Sequence, residues 1–284
     1  MKTKKLVGLA LLSLLAGTLF QGCTKDEIAP DNNLAPVQLT GSVRPDFATL
    51  DTRPAAVIAQ FQVTDRDAEP VKLNTNMTKG GKYALVIGIS DYAGTANDLQ
   101  YCDDDANDWK AVLQADGYTV TTLIDGVATK AAIESAINTL ASESVAGNTI
   151  AFCYSGHGSK GNIISADLYY ISYTWFKTKF ASVTSTKMMF CFDACQIGYM
   201  SALSATGRVI ALASSKTTYS YDGDATMKNG VFTYYQMKGF TDNHYLYLEP
   251  DCSYACTQMK TWASANHVKV APSYVDSYTG DFAL

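Results

Sequence analysis

From Lys82 onward the chain alternates short apolar runs with amphipathic stretches. KYALVIGI (82–89) is continuously apolar and rich in β-branched residues, the pattern of a strand buried on both faces. DDANDWKAVLQADG (104–117) predicts a helix, with aspartates at the N-terminal end favoured by the macrodipole and Gly117 closing it. YTVTTLID (118–125) predicts a strand, and TKAAIESAINTLAS (129–142) an amphipathic helix capped by Thr129. NTIAFCYS (148–155), KMMFCFDA (187–194) and RVIALAS (208–214) are further strands, with a helix over SYTWFKTKFAS (172–182) between the first two. VFTYYQMKGF (231–240) and DCSYACTQMKTWAS (251–264) close the pattern as helices. Before Lys82 the pattern is broken: five of the seven prolines (Pro30, Pro36, Pro45, Pro54, Pro70) fall in residues 24–78, against any long helix. Within that region PAAVIAQFQVTD (54–65) has strand character, fit for an edge strand or a pro-segment.

Strands alternating with helices imply parallel pairing through right-handed crossovers, hence an α/β fold built on an open, mostly parallel β-sheet with helices on both faces. Such sheets place their sites beyond the carboxyl ends of the strands, at the point where strand order reverses. Two apolar strands end in conspicuous chemistry. AFCY runs into Ser155-Gly156-His157-Gly158, and MMFCF runs into Asp193-Ala194-Cys195. If those strands are neighbours, His157 and Cys195 meet at one edge of the sheet.

A thiol needs a base or cation nearby to become a nucleophilic thiolate. His157 can supply that and later protonate a leaving amine. The flanking glycines permit a sharp turn and leave backbone N–H groups for a developing oxyanion. FCFDACQIG (190–198) could be a metal clip or a disulfide from its spacing alone. In the strand frame it separates into Cys191, a packed thiol inside the strand, and Cys195, just past the strand end. Cys252 and Cys256, with His244 and His267 nearby, fit no common zinc spacing and read as packed or paired thiols. Asp222 and Asp224, in YSYDGDATMKNG, read first as an ordinary polar loop, with reach to substrate or a cation as the alternative.

Composition adds a compartment. With 47% hydrophobic and 17% charged residues a large core is available, and a net charge of −5 without a basic stripe speaks against nucleic-acid binding. Lys2, Lys4 and Lys5 precede the apolar run LVGLALLSLLAGTLF, which ends at Gln21-Gly22-Cys23. That is a secretory signal, too short to span a bilayer. Its end resembles the lipobox of bacterial lipoproteins, which implies removal of residues 1–22, lipidation of Cys23 and anchoring in the outer membrane of the cell envelope. The acidic tract Thr24-Lys25-Asp26-Glu27 is similar to signals for surface exposure.

YSGHG (154–158) followed by DACQIG (193–198) resembles the caspase-like cysteine peptidases of family C14, in particular the metacaspase branch, where Asp rather than Gln precedes the Ala-Cys pair. LQYCDDDA (99–106), GRVIALASS (207–215), NGVFTYYQMKGF (229–240) and YVDSYTGDFAL (274–284) extend the likeness. The resemblance implies a caspase-like fold over residues 79–284, preceded by a tether over 23–78 that could double as a pro-segment. It implies Cys195 as nucleophile, His157 as general base, and the backbone N–H groups of Gly158 and Cys195 as oxyanion hole. It puts an acidic P1 pocket on Cys102, Asp105, Ser155 and Asp193, suited to Arg or Lys, with the bidentate geometry favouring Arg.

Two positions depart from the family pattern. Ile197 stands where the family usually has Ser. The acidic calcium site of many relatives is unmatched, with Asp167 the sole acid between His157 and Cys195 and Ala202 seven residues beyond the nucleophile. No cofactor is expected, calcium being the one candidate. Three functions follow: an Arg/Lys-specific endopeptidase acting as a monomer on protein or peptide substrates, a catalytically weak homologue serving as a surface binding module, or a transpeptidase using the same thioester. Arg44, Arg53, Lys79 and Lys82 are candidate self-cleavage points.

Overall fold

The structure is a computed structural model that describes residues 41–62, 68–76 and 80–284; the signal-like segment, Cys23 and Lys79 lie outside the described residues. In chain order the strands and α-helices are β1 (Ser42–Val43), α1 (Phe47–Leu50), α2 (Ala55–Gln62), β2 (Lys82–Gly88), α3 (Cys102–Ala115), β3 (Thr119–Ile124), α4 (Lys130–Glu143), β4 (Thr149–Ser155), β5 (Gly158–Ser159), β6 (Asn162–Ile164) and β7 (Tyr170–Ser172). They continue as α5 (Tyr173–Lys179), β8 (Lys187–Asp193), β9 (Arg208–Leu212), β10 (Tyr221–Asp222), α6 (Val231–Thr241), α7 (Leu248–Ala265) and β11 (Ser273–Asp276).

Six strands form the central sheet in the order β11-β9-β8-β4-β2-β3. All neighbours are parallel except β11, which closes one edge antiparallel to β9. The chain enters at β2, adds β3 on one side, then crosses to build β4, β8 and β9 on the other. Strand order therefore reverses at β2/β4, which is where ligands are expected in open α/β sheets. The strands read as unbroken apolar runs because both faces are covered. Leu85, Ile87, Phe152, Tyr154, Phe190 and Phe192 point to the face covered by α4 and α5. Ala84, Val86, Ala151, Cys153, Met189 and Cys191 point to the face covered by α3, α6 and α7. This is the mostly parallel caspase-like sheet, with helices on both faces, that the sequence implies.

Three local features differ from expectation. Residues 54–65 were expected to have strand character, yet Ala55–Gln62 is helical. Pro54 opens the helix, its fixed φ and missing N–H costing nothing in the first turn, and its carbonyl accepts from Val57 and Ile58. Phe61 then packs on Tyr169 with centroids 4.1 Å apart, and Arg53 lies 4.2 Å over the Phe61 ring. Helix α3 begins at Cys102, two residues early, because its cap comes from another loop: Ser90 Oγ accepts from the N–H groups of Cys102 and Asp103 at 2.9 and 3.2 Å. The small sheet β5-β6-β7 follows His157, in strands too short to leave an alternation in the sequence. Thr129, in contrast, caps α4 as expected, its Oγ1 accepting from Ala132 N–H at 3.3 Å.

Candidate active site

The carboxyl ends of three adjacent strands align in one row, Gly88–Ser155–Asp193. Gly88 has no side chain for a steric reason: a Cβ there would overlap the Cys102 carbonyl and stand 2.6 Å from the Ala106 Cβ. Its absence lets the start of α3 close over the row, so that Ser155 Oγ donates to Asp105 Oδ2 at 2.5 Å. Helix α6 arrives from the other side. Thr233 N–H and Oγ1 donate to Asp193 Oδ2 at 3.1 and 2.9 Å, and Gly230 N–H donates to Asp105 Oδ1 at 2.9 Å. The first turn of α6 thus turns its N–H groups and the positive end of its dipole on two buried carboxylates. Ser220 Oγ makes a very short bond to Asp193 Oδ1.

A basic side chain fills this acidic pocket, and it comes from the chain itself. Arg44 is fully buried. Its Nε donates to Asp222 Oδ1 at 2.8 Å, and Nη2 to Asp105 Oδ2 at 3.2 Å. Nη1 faces Asp193 Oδ1 at 3.1 Å, the Asp193 carbonyl at 2.8 Å and Ser155 Oγ at 3.2 Å. Cys102 lies alongside, fully buried, and burial pushes its thiol well up. Burial also raises Asp105 above the usual carboxylate range, a shift that Asp193 reinforces and Arg44 opposes. The Arg44 guanidinium, held among carboxylates, is raised well above its ordinary value despite its burial.

All four residues expected to form the P1 pocket, Cys102, Asp105, Ser155 and Asp193, therefore stand around one guanidinium. Asp222 joins them from β10 by accepting from Arg44 Nε rather than staying in a solvated loop; Asp224 keeps to its loop, its carboxylate accepting from Thr226 and Met227 N–H. Sequence reasoning missed Gly230 and Thr233, for which the Asn-Gly step before α6 was the only signal. A Cβ on Gly230 would overlap Asp193 Oδ2 and stand 2.6 Å from Arg44 Nη2. Gly230→Ala is expected to cost about 1–3 kcal/mol by overpacking, read as a lower urea midpoint at unchanged slope.

Just past β8, Cys195 Sγ donates to the Arg44 carbonyl oxygen at 2.6 Å and accepts from Ser220 N–H at 3.3 Å. The turn that carries it is pinned from behind. Ser214 Oγ donates to the Ala194 carbonyl at 2.7 Å and accepts from Ile197 N–H at 3.1 Å, while Gln196, at φ 50°, donates its N–H to Thr218 O at 3.0 Å. Ile197 points into the core on the α5 side, so its departure from Ser lies away from the thiol. Cys191, four residues back, is buried on the opposite face and donates to Gln236 Oε1 at 3.0 Å.

His157 is seated from three sides. Its N–H donates to Tyr92 Oη at 2.8 Å, its carbonyl accepts from Tyr154 Oη at 2.8 Å, and its Nε2 lies 2.6 Å from the Asn97 carbonyl. A carbonyl can only accept, so Nε2 carries the proton and Nδ1 is the bare, basic nitrogen. Nδ1 is buried and has no hydrogen-bond partner. The rings of Tyr92 and Phe47 flank the imidazole at 4.7 and 5.4 Å. Burial lowers His157 to about 4 and pushes the Cys195 thiol up to about 12. With the pocket filled, both groups are neutral. Gly158 and Cys195, the residues expected to hold an oxyanion, are backbone neighbours: a Cβ on Gly158 would overlap the Cys195 carbonyl and approach its nitrogen to 3.1 Å.

Cys252 and Cys256 are buried in α7. Among the described residues no group of three or more His, Cys, Asp or Glu side chains is placed to hold a metal ion. Nor is any helix among them long and apolar enough to cross a membrane.

A crystal structure of a protein from Geobacter sulfurreducens is similar at a TM-score of 0.55 and 17% identity, covering 72% of this chain and 97% of that one, a likeness of fold alone. No curated protein matches the chain. The caspase-domain family model matches residues 81–249, which hold the row Gly88–Ser155–Asp193, His157, Cys195 and Asp222. That match spans more than half of the chain, and the protein belongs to the caspase-domain family of cysteine-type peptidases.

Proposed function

We propose that the protein is an endopeptidase that cuts peptide bonds after arginine, and less readily after lysine, with Cys195 as nucleophile and His157 as general base. One observation carries this reading: an arginine side chain sits in the acidic pocket while the carbonyl of the same residue sits against the Cys195 sulfur. A peptide cut after arginine would lie the same way. His157 Nδ1 takes the thiol proton as sulfur attacks the carbonyl carbon, and the oxyanion is held by the N–H groups of Gly158 and Cys195. The imidazolium gives its proton to the leaving nitrogen, the amine departs, and a thioester remains. Water, deprotonated by His157, attacks the thioester and returns the thiol. Thiol and imidazole supply every proton transfer, so the chemistry as written needs no cofactor.

The pocket's contacts separate arginine from lysine. Asp222 accepts from Nε, a donor that lysine lacks at that position, and Asp105 and Asp193 meet the two ends of the guanidinium fork. The residue before the P1 arginine is expected to matter little, because Val43, in the corresponding place, is 47% exposed. The sequence signals at Lys2–Cys23 support a lipid-anchored enzyme of the bacterial envelope, acting as a monomer on protein substrates.

The test is a panel of fluorogenic peptides with Arg, Lys, Asp or Leu at P1, assayed with and without calcium. Because Arg44 fills the pocket, an Arg44→Ala chain is assayed beside the wild type. Hydrolysis is expected after Arg, about tenfold or more weaker after Lys, and absent after Asp and Leu. Equal cutting after Asp or Leu would sink the assignment of the pocket. Adding Asp222→Ala is expected to lower kcat/KM for the Arg peptide by about tenfold and leave the Lys peptide within about twofold. A loss shared equally by both peptides would show that Asp222 only shapes the loop.

A further inference from the structure

Residues 41–53 run through the cleft in the manner of a bound peptide. β1 pairs antiparallel with β10, Ser42 opposite Asp222 and Val43 opposite Tyr221, and Arg44 N–H donates to Ser220 O at 3.0 Å. This is strand addition to a loop edge that β1 covers, with one deep side-chain anchor in Arg44. Beyond the Arg44 carbonyl the chain is held just as firmly. Asp46 caps α1 through Ala48 N–H at 3.1 Å, and Phe47 is fully buried, its ring 5.5 Å from that of Tyr170. Asp51 accepts from Tyr170 Oη at 2.9 Å and pairs with Arg53 at 2.8 Å, while Arg53 Nη2 donates to Leu168 O at 2.7 Å. Of the candidate self-cleavage points among the described residues, only Arg44 lies in the pocket. Arg53 is tied to Asp51, and Lys82 Nζ donates to the carbonyls of Asp116 and Leu284 at 2.8 Å. The bond offered to Cys195 is Arg44–Pro45.

We propose that residues 41–53 are a built-in inhibitor of the peptidase, and that Pro45 is what keeps the segment from being cut as a substrate. The proposal rests on the reading of Cys195 and His157 given above.

Pro45 obstructs the reaction at its second half. When sulfur adds to the Arg44 carbonyl, the leaving nitrogen must become pyramidal and turn its lone pair toward His157 to receive the proton. In an ordinary peptide the small N–H hydrogen swings aside during that inversion. Proline has no N–H; its ring carbon Cδ holds that position and must swing instead. It would do so in a cleft where the rings of Phe47 and Tyr92 already flank the imidazole.

The anchored leaving side adds a second obstruction. Even if the bond broke, the contacts of Asp46, Phe47, Asp51 and Arg53 would hold the new Pro45 amine over the thioester. There it re-forms the peptide bond and keeps water from the acyl carbon. A substrate must release its leaving group for turnover; this segment is built to retain it. The tight fit also maintains the dry surroundings in which Cys195 and His157 are neutral.

The experiment compares the full-length wild type, Pro45→Ala and Arg44→Ala, each also carrying Cys195→Ala as a control. Three readouts are followed: intact mass, hydrolysis of an Arg fluorogenic peptide, and the rate at which iodoacetamide labels the peptide containing Cys195. The wild type is expected to remain uncut between Arg44 and Pro45, with slow labelling and weak hydrolysis. Pro45 is only partly buried, so Pro45→Ala should fold, and it is expected to be cut after Arg44 in a Cys195-dependent way. Arg44→Ala is expected to label at least tenfold faster and to hydrolyse the peptide at least tenfold faster. Cys195-dependent cutting of the wild type at Arg44–Pro45, as fast as in Pro45→Ala, overturns the proposal. So does Arg44→Ala labelling no faster than the wild type. Peptide hydrolysis absent from every variant, with Cys195 nonetheless exposed in Arg44→Ala, overturns the peptidase reading instead; the labelling rates still show Arg44 covering the thiol.

Discussion

Replacing Cys195 with alanine in the Arg44→Ala chain is expected to lower kcat/KM for an Arg fluorogenic peptide by at least about 10⁴-fold, to the level of the buffer. The size follows from what is lost. With no sulfur there is no thioester, and a water directed by His157 would have to attack an amide in one step. Because the pocket of Asp105, Asp193 and Asp222 is untouched, binding of an Arg-ended peptide should persist within a few-fold, measured by fluorescence anisotropy. An undiminished rate would mean that another group is the nucleophile. The other cysteines among the described residues are poor substitutes by position: it is the Cys195 sulfur that lies against the Arg44 carbonyl, whereas Cys191 donates to Gln236 on the far face and Cys252 and Cys256 lie in α7.

The second large effect is expected at Asp193. Asp193→Ala, again with Arg44→Ala, should lower kcat/KM for the Arg peptide by about 10³-fold, or about 4 kcal/mol. The loss exceeds one ion pair because Asp193 does three jobs. Its Oδ1 meets the guanidinium, its Oδ2 accepts twice from Thr233, and Oδ1 also holds Ser220, whose N–H donates to the Cys195 sulfur. Removing the carboxylate strips charge from the pocket and loosens both the start of α6 and the strand edge along which, in the proposed reading, a substrate would lie. Asp193→Asn can still accept from Thr233 through its amide oxygen, so it should fall between alanine and wild type. If asparagine were as damaging as alanine, charge would dominate; if it were harmless, Asp193 would be a scaffold residue and the basic P1 preference would have to come from Asp105 and Asp222. Thermal unfolding of each variant separates a lost pocket from a lost fold.

Much of this site's geometry is legible in the sequence. Four of the five parallel strands, β2, β4, β8 and β9, announce themselves because burial on both faces makes them unbroken apolar runs. The residues that follow β4 and β8 then stand together because those strands are neighbours. Cys102, Asp105, Ser155 and Asp193 were found through the family likeness, and the packing at Gly88 explains how α3 delivers the first two. Asp222 cannot be ranked above its neighbour Asp224 from the sequence, since both sit in a polar loop and what holds Asp222 inward is its pairing with Ser42 on β1 and its bridge to Gly230. The helix at Ala55–Gln62 reads as strand in the sequence because Val57, Ile58 and Phe61 are strong strand formers, whereas the ring on which Phe61 packs, Tyr169, lies more than a hundred positions away. The occupant of the pocket was hardest to see. Arg44 lies in a proline-rich stretch with no periodicity, and nothing local says that its side chain is buried among carboxylates. A self-cleavage candidate at that residue was as far as the sequence could lead.

The single deep anchor on β1 has a consequence for how substrates compete. Val43 points to solvent and only two residues of β1 pair with β10, so the segment's hold on the cleft comes from Arg44 and from the contacts beyond Pro45. Joined to the same chain, the segment meets the pocket at an effective concentration of about millimolar, whatever the dilution of the protein. A free peptide of equal affinity must reach that concentration merely to share the cleft evenly. Severing the connection anywhere between α2 and β2 replaces this fixed value with the bulk concentration of the detached piece, and dilution then favours its release without any change in the contacts themselves.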